Sequence, residues 1–352
     1  MLKYSYTPPS LGSVVNSRKV FLDKDYIRAK NIVACVVGYL HPPNKVICYP
    51  KYLVTHSGES LWKRDGELYM RIVPDYSTLS IVKSISFLKK IYSKYVYYDN
   101  FFKTEVVGIP LNDILLHYLP EKRLSEMLSE KQLDMLEEKA VNLVKMISKE
   151  SKVNLKDFGI TGSILLKIHN INISDINLVV YGVDSSWKVY EALTKIDFIR
   201  PYKKWIQRMS KVYNMPLKLA EKICSRRINR GVYSGRNFSL SFVLKPHEVK
   251  KKYGEYSYKI LGKVDLKAIV ICNKYSLFYP YTYVIQCFDI KGSRSLDIRE
   301  LLCFQGIYCG VFYEGEKVRI KGVLLEVTDG EEKYYSVAVG LREYTGFIEP
   351  IS

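Results

Sequence analysis

FGITGSILLKIHNINISDINLVVYG, residues 158–182, runs from an apolar segment through a Gly-Ser pair to an Asp-Ile-Asn triplet and a second apolar segment. Leu178-Val179-Val180 reads as a buried strand ended by Tyr181-Gly182. Side chains at i and i+2 of a strand point the same way, so Asp175 and Asn177 share a face where that strand begins. A Gly-Ser pair opening a helix offers backbone N–H groups and a hydroxyl to phosphates, and the glycine allows close approach. Asp-x-Asp in this setting holds Mg²⁺ ions, which activate an attacking hydroxyl and neutralise a leaving pyrophosphate. Here the second position is an amide, which can ligate a metal but brings no charge.

Upstream, the period of the sequence changes twice. Residues 32–40 and 45–54 are β-branched and aromatic runs separated by His41-Pro42-Pro43-Asn44, a hairpin loop. Residues 67–73 read as another strand and 84–92 as a short helix. From Glu121 the pattern is helical: Leu133, Leu136, Ala140, Leu143, Val144 and Ile147 fall on one face, and the helix should end before Ser151. Downstream, Asp184-Ser185-Ser186 supplies N-cap oxygens for a helix closed by Pro201. Further helices are expected over 203–213 and after Asn214, with Pro216 in the first turn and Gly231 just past the end. Beyond Tyr258 the pattern is β again: Val264, Leu266, Ala268 and Val270 alternate with Asp265, Lys267 and Ile269. Strands over 279–287, 317–327 and 332–340 complete a small closed barrel, for which an oligonucleotide-binding type is one option.

The chain has 352 residues and a formal net charge of +18, which is unevenly spread: residues 186–260 hold 18 Lys/Arg against 5 Asp/Glu. Such a block attracts phosphates, and RNA or DNA is the expected partner beside a solvated basic face as the plain alternative. No apolar run approaches the ~20 residues of a membrane span. The N-terminal MLKYSYTPPSLG lacks the basic-then-apolar pattern of a signal peptide, so a cytoplasmic location is expected. The seven cysteines show no CxxC pair or Cys/His ligand spacing, which argues against structural zinc and for buried thiols; Cys303 and Cys309 are near enough in sequence to pair.

Gly162-Ser163, the spacer and Asp175-Ile176-Asn177-Leu178 together resemble the signature of the nucleotidyltransferase superfamily that includes DNA polymerase beta and the nucleotide-adding tRNA enzymes. The likeness is closer to a set of archaeal proteins grouped as predicted nucleotidyltransferases. DFGITGSILLKIHN, SDINLVVYG, VVGYLHPPNKVICYPKYL (37–54), RRINRGVYSGRNFS (226–239) and GEKVRIKGVLLEV (315–327) look like their segments. The resemblance implies an α+β fold: a β-rich N-terminal region (1–117), a nucleotidyltransferase-like core with a basic helical segment (118–256) and a C-terminal small β-barrel (257–352). It implies metal-dependent transfer of a nucleotidyl group from an NTP to a nucleic-acid or protein acceptor. Gly162 and Ser163 would bind phosphate, and Asp175 with Asn177 would be the catalytic pair holding Mg²⁺ or Mn²⁺.

This sequence departs from the pattern at Asn177, where the family has an acid. The superfamily also uses a third acid on a later strand. Asp265 is a candidate, although its alternation with core residues favours a solvated barrel face; Asp197 is nearer in sequence but sits on or just after a helix. The strand expected at 238–244 is topologically suited but offers only Ser239 and Ser241. A catalytically silent member that binds nucleotide or nucleic acid is therefore the alternative. Arg226, Arg227 and Arg230, with Arg236 and Tyr233, are candidates for a triphosphate or RNA backbone; a basic helix end meeting the C-terminal dipole is the competing reading. His169 reads as a polar helix-end residue and His41 as turn chemistry.

Overall fold

The computed structural model describes residues 20–351 except 74–77, 292–295, 343 and 345. The N-terminal stretch read above for a leader lies outside the described residues. The fold is mixed α+β in three parts: a curled N-terminal sheet, a central mixed sheet with helices, and a C-terminal five-stranded β-barrel.

The N-terminal sheet comprises β1 (Tyr26–Ala29), β2 (Ile32–Val36), β3 (Lys45–Thr55), β4 (Lys63–Arg64), β5 (Glu67–Arg71), β6 (Val96–Asp99), β7 (Thr104–Pro110) and β8 (Leu116–Tyr118). Its order is β4-β5-β3-β2-β1-β8, and β3 also pairs with β7, which carries β6. Every residue of β2 is buried. Alternate side chains leave a strand on opposite faces, so a strand apolar throughout needs cover on both. Ile32, Ala34 and Val36 meet Ile85 and Leu88 of α1 (Thr78–Ile91), whereas Val33 and Cys35 join Leu165, Leu166 and Ile168 of the central region. The second face thus ties this sheet to the segment that follows Gly162-Ser163.

The central region begins with α2 (Pro120–Ser129) and α3 (Met135–Ser151), then β9 (Phe158–Thr161), α4 (Gly162–Leu165), β10 (Ile176–Tyr181) and α5 (Val183–Lys195). Asp134 caps α3, accepting from the backbone of Leu136 and Glu137, and Glu137 reaches back to complete the capping box. A helical pair, α6 (Tyr202–Val212) and α7 (Leu217–Ser225), precedes β11 (Arg230–Tyr233) and β12 (Arg236–Val243). The sheet order is β11-β12-β10-β9; β10 runs antiparallel to β9 and parallel to β12. Ile176, Leu178 and Val180 face the core under α3 and α5, and Val179 and Tyr181 turn to Leu22 and Val243.

Three local expectations are corrected here. The helix expected to be capped by Asp184-Ser185-Ser186 starts earlier, with Gly182 at φ +93° as N-cap, and Ser185 instead donates to Asp157 at 2.8 Å. It ends at Lys195, well before Pro201, because Phe198 turns inward to pack on Phe238 with ring centroids 4.5 Å apart. Gly231 is not a helix terminator: α7 ends at Ser225 and Gly231 lies in β11, where a Cβ would come within 2.8 Å of the Phe238 ring.

The barrel contains β13 (Tyr256–Cys272), β14 (Tyr281–Ile290), β15 (Ile298–Cys303), β16 (Lys317–Asp329) and β17 (Glu332–Val339), with β18 (Phe347–Pro350) beside β16. The strands follow the order β13-β14-β15-β17-β16 and close through β16–β13; β15 and β17 are parallel. Leu266, Ala268 and Val270 point inward, as their alternation requires. Met209, Met215, Leu219, Ala220 and Ile223 bury against this barrel core, so the α6–α7 pair is seated on the barrel. Cys303 belongs to the barrel core and Cys309 to the central one, and all seven cysteines are free thiols. No helix among the described residues is long and apolar enough to cross a membrane.

Candidate phosphate-binding cleft

The chain turns sharply between β9 and β10 at Gly162, whose φ of +72° suits glycine. A Cβ there would approach Asn177 Nδ2 to 3.0 Å, so the missing side chain lets the turn lie against the start of β10. Asp175, exposed, and Asn177, half-buried, sit at that start. In-register parallel pairing sets Ser239 of β12 directly opposite Asn177. The Ser239 hydroxyl donates to Asn177 Oδ1 at 2.8 Å, and Asn237 Nδ2 donates to Asp175 Oδ1 at 3.2 Å. The sequence reading brought Gly162, Ser163, Asp175 and Asn177 together, and the structure places all four on one cleft.

That cleft, of about 520 Å³, lies where the three parts of the fold meet. The N-terminal sheet contributes Lys24, Lys51 and Arg71; the helical pair and the segment after it contribute Arg208, Arg227 and Arg230. Asp23 and Asp175 are the acids among the lining residues. Asp23 is already engaged, pairing with Lys24 at 2.9 Å and accepting from Gly38 N at 3.0 Å. Burial alone would lower the Lys24 pKa, but Asp23, Tyr281 and Cys35 together raise it. Aromatic rings line the walls: Trp62 from the first sheet, Trp205 and Tyr213 from the insert, and Tyr279, Tyr281 and Phe304 from the barrel. Burial pushes the Tyr279 hydroxyl up to about 12.

The arginines separate. Arg226 turns to the barrel, where Nη1 donates to Glu316 Oε1 at 2.7 Å and to Val311 O at 3.1 Å; it does not line the cleft. Arg236 is held by the carbonyls of Ile171 and Asn172. Arg227 and Arg230 do line it. Arg227 is buried, its Nη1 meets Met209 Sδ at 3.7 Å, and its Nε has no acceptor. Arg230 lies over the Trp205 ring at 5.4 Å, and burial, with Arg227 beside it, pulls its pKa down to about 10. Asp265 is remote from this chemistry: on β13 its carboxylate takes Arg319 at 2.7 Å and Lys321 at 3.9 Å, and it is not a lining residue. On β12 the residue opposite Asn177 is a serine, Ser239.

The donors at the strand start fit a divalent cation poorly. One carboxylate supplies charge, and the amide oxygen already accepts the Ser239 hydrogen bond. Two-metal chemistry needs bridging carboxylates that this edge lacks. A different group, Asp134, Glu137 and His169, brings three ligand atoms within 4.8 Å of one another. Those atoms are committed to structure: Asp134 caps α3 and meets His169 Nε2 at 2.6 Å, and Glu137 pairs with the buried Arg123. The backbone of Glu137 and the His169 ring hold the Asp134 carboxyl below its usual range despite burial.

Sequence reasoning missed Lys24, Lys51, Arg208, Trp205 and Asn229. Trp205 and Arg208 stand one helical turn apart in a basic helix, a spacing that could have flagged them. Lys24 and Lys51 carried no local signal, since a distant sheet brings them in.

Over 348 residues the chain is 30% identical to a Methanocaldococcus jannaschii protein named Uncharacterized protein MJ1086, and the match covers 90% of this chain and 94% of that one. The chain belongs to the MJ1086 family. That family name assigns no activity, and the near-complete coverage extends to all three parts of the fold. No family model matches the chain, and no solved structure matches it.

Proposed function

We propose that the chain binds a nucleotide or a nucleic-acid strand on a nucleotidyltransferase-like scaffold, with little or no transfer chemistry of its own. The observation that carries this reading is the cleft in which Lys24, Lys51, Arg71, Arg208, Arg227 and Arg230 meet only Asp23 and Asp175. A phosphate backbone is attracted by such a surplus, and bases stack on aromatic walls with little regard to sequence. The barrel supports the same reading: its strand order with a parallel third–fifth pair is that of oligonucleotide-binding barrels, and its Tyr279 and Phe304 face the cleft. The turn at Gly162-Ser163, the Asp175 strand and the parallel β12 support the nucleotidyltransferase-like scaffold.

Slow transfer held up by Asp175 alone is the second reading, favoured by the retained Gly-Ser turn. Metal-held carboxylates offset charge that develops in the transition state, and each missing ~1.4 kcal/mol costs tenfold in rate. Titration of the protein with pooled single-stranded RNA, beside single-turnover assays with labelled NTPs and Mn²⁺, separates the two. Binding that falls steeply with salt, survives Asp175→Ala and comes with no labelled product is expected. Robust transfer abolished by Asp175→Ala installs the enzyme reading. Absence of both binding and transfer removes both.

A further inference from the structure

Buried charges in folded chains are paired, because an isolated ion loses its hydration and gains nothing in return. Arg227 departs from that pattern. The residue is buried, with 8% of its surface exposed, it lines the cleft, and no carboxylate lies within ion-pair distance of it among the described residues. Arg230, three residues on, lines the same cleft and likewise has no acid partner there; only the Trp205 ring steadies it, at 5.4 Å. Between them Asn229 is also buried. Its Nδ2 is fixed on Leu240 O at 3.0 Å, so the amide cannot usefully flip, and its Oδ1 is left without a donor.

We infer that Arg227, Asn229 and Arg230 form a receptor for a terminal phosphate, a phosphomonoester carried by a nucleoside. The inference rests on the nucleotide-binding reading above and names what that cleft selects. A phosphomonoester is close to a dianion at neutral pH, with its second ionisation near ~6, and so offsets two guanidinium charges. An internal phosphodiester carries one charge and leaves one of them unbalanced. Guanidinium forks match phosphate oxygens bidentately, and the cation–π contact with Trp205 holds the Arg230 fork in place. The orphan Asn229 Oδ1 requires a donor, which a nucleoside hydroxyl supplies. Burial first, and the Arg227 charge beside it second, lower the Arg230 pKa, and no carboxylate among the described residues pairs with it. A free mononucleotide and the end of a strand present the same phosphate chemistry.

The full chain is titrated by fluorescence anisotropy with one RNA dodecamer bearing a 5′-phosphate, a 3′-phosphate or hydroxyls only, and by calorimetry with AMP and adenosine. One phosphorylated strand is expected to bind at least roughly tenfold more tightly than the hydroxyl strand, the scale of a charge-assisted pair. In Arg230→Gln that preference should shrink to about twofold or less, while the hydroxyl strand still binds. AMP binding well above adenosine identifies the free nucleotide as a source; a preference confined to the dodecamers identifies the strand end. Equal binding of all three strands with no difference between AMP and adenosine overturns the receptor and leaves the broader cleft reading standing. Failure of every ligand to bind removes both. In Arg227→Leu the melting temperature should hold or rise while the preference disappears. A clear fall in melting temperature with the preference intact assigns Arg227 to the fold and overturns its role here.

Discussion

The Asp134–Glu137–His169 group and the Arg227–Asn229–Arg230 group each gather polar side chains near a helix end, yet the chain balances the charge of only the first. In the first, Arg123 meets Glu126, Glu130 and Glu137, and Asp134 meets both the α3 backbone and His169. The atoms left over there, Arg123 Nε and His169 Nδ1, belong to side chains already paired with a carboxylate through another nitrogen. In the second, two cations face a cleft without an acid between them. The cluster with the composition of a metal site has its charges paired within the fold, and the cluster with the composition of a helix end is the one proposed above to take a ligand. The difference lies in which bonds remain unmade.

The comparison breaks most easily on stability. Arg123→Leu strands Glu137 as a buried carboxylate and should cost on the order of 3–5 kcal/mol, read as a shift in the urea midpoint. Arg227→Leu, replacing a charge that has no partner, should change stability by less than about 1 kcal/mol or raise it. Comparable losses in the two variants would erase the distinction.

A smaller effect tests the strand edge. Asn177→Asp returns one charge beside Asp175, and Mn²⁺ affinity by calorimetry should rise on the order of tenfold. Identical titrations of the two proteins would show that residue 177 does not face a cation.

A pH dependence is a further effect, at the first sheet. His41 accepts from Ile47 N through Nδ1 at 3.2 Å, and burial lowers its pKa from 6.5 to about 4. The unfolded chain then binds the proton first, so stability contributed by neutral His41 is present above about 6.5 and drains away as pH falls towards 4. Melting curves across that window should slope less in His41→Gln than in the parent. Parallel slopes would mean that the ring titrates alike in both states.

Local chemistry was legible in the sequence. Gly162-Ser163 and Asp175-Ile176-Asn177 lie on one hairpin, and the Leu266, Ala268, Val270 alternation follows from the strand period alone. The continuous run in β2 was readable as a strand, but its two covers, α1 and the segment after α4, were not. What failed depended on distance along the chain. Arg226 seemed equal to Arg227 until Glu316, ninety residues on, claimed it. Lys24 and Lys51 reach the cleft only because Val33 and Cys35 pack on Leu165 and Ile168. Gly231 looked like a helix stop, and its reason is the Phe238 ring pressed against it. Asp265 had the right strand context and the wrong barrel wall.

The register of β10 against β12 sets how many carboxylates this edge could carry. Residues 177 and 239 stand opposite each other and share a hydrogen bond, so two polar side chains on adjacent strands meet beside Asp175. Asn177→Asp and Ser239→Asp would create a three-carboxylate edge with no insertion, deletion or slip of a strand. Two side-chain changes therefore separate a one-carboxylate edge from a three-carboxylate one, with the backbone register unchanged.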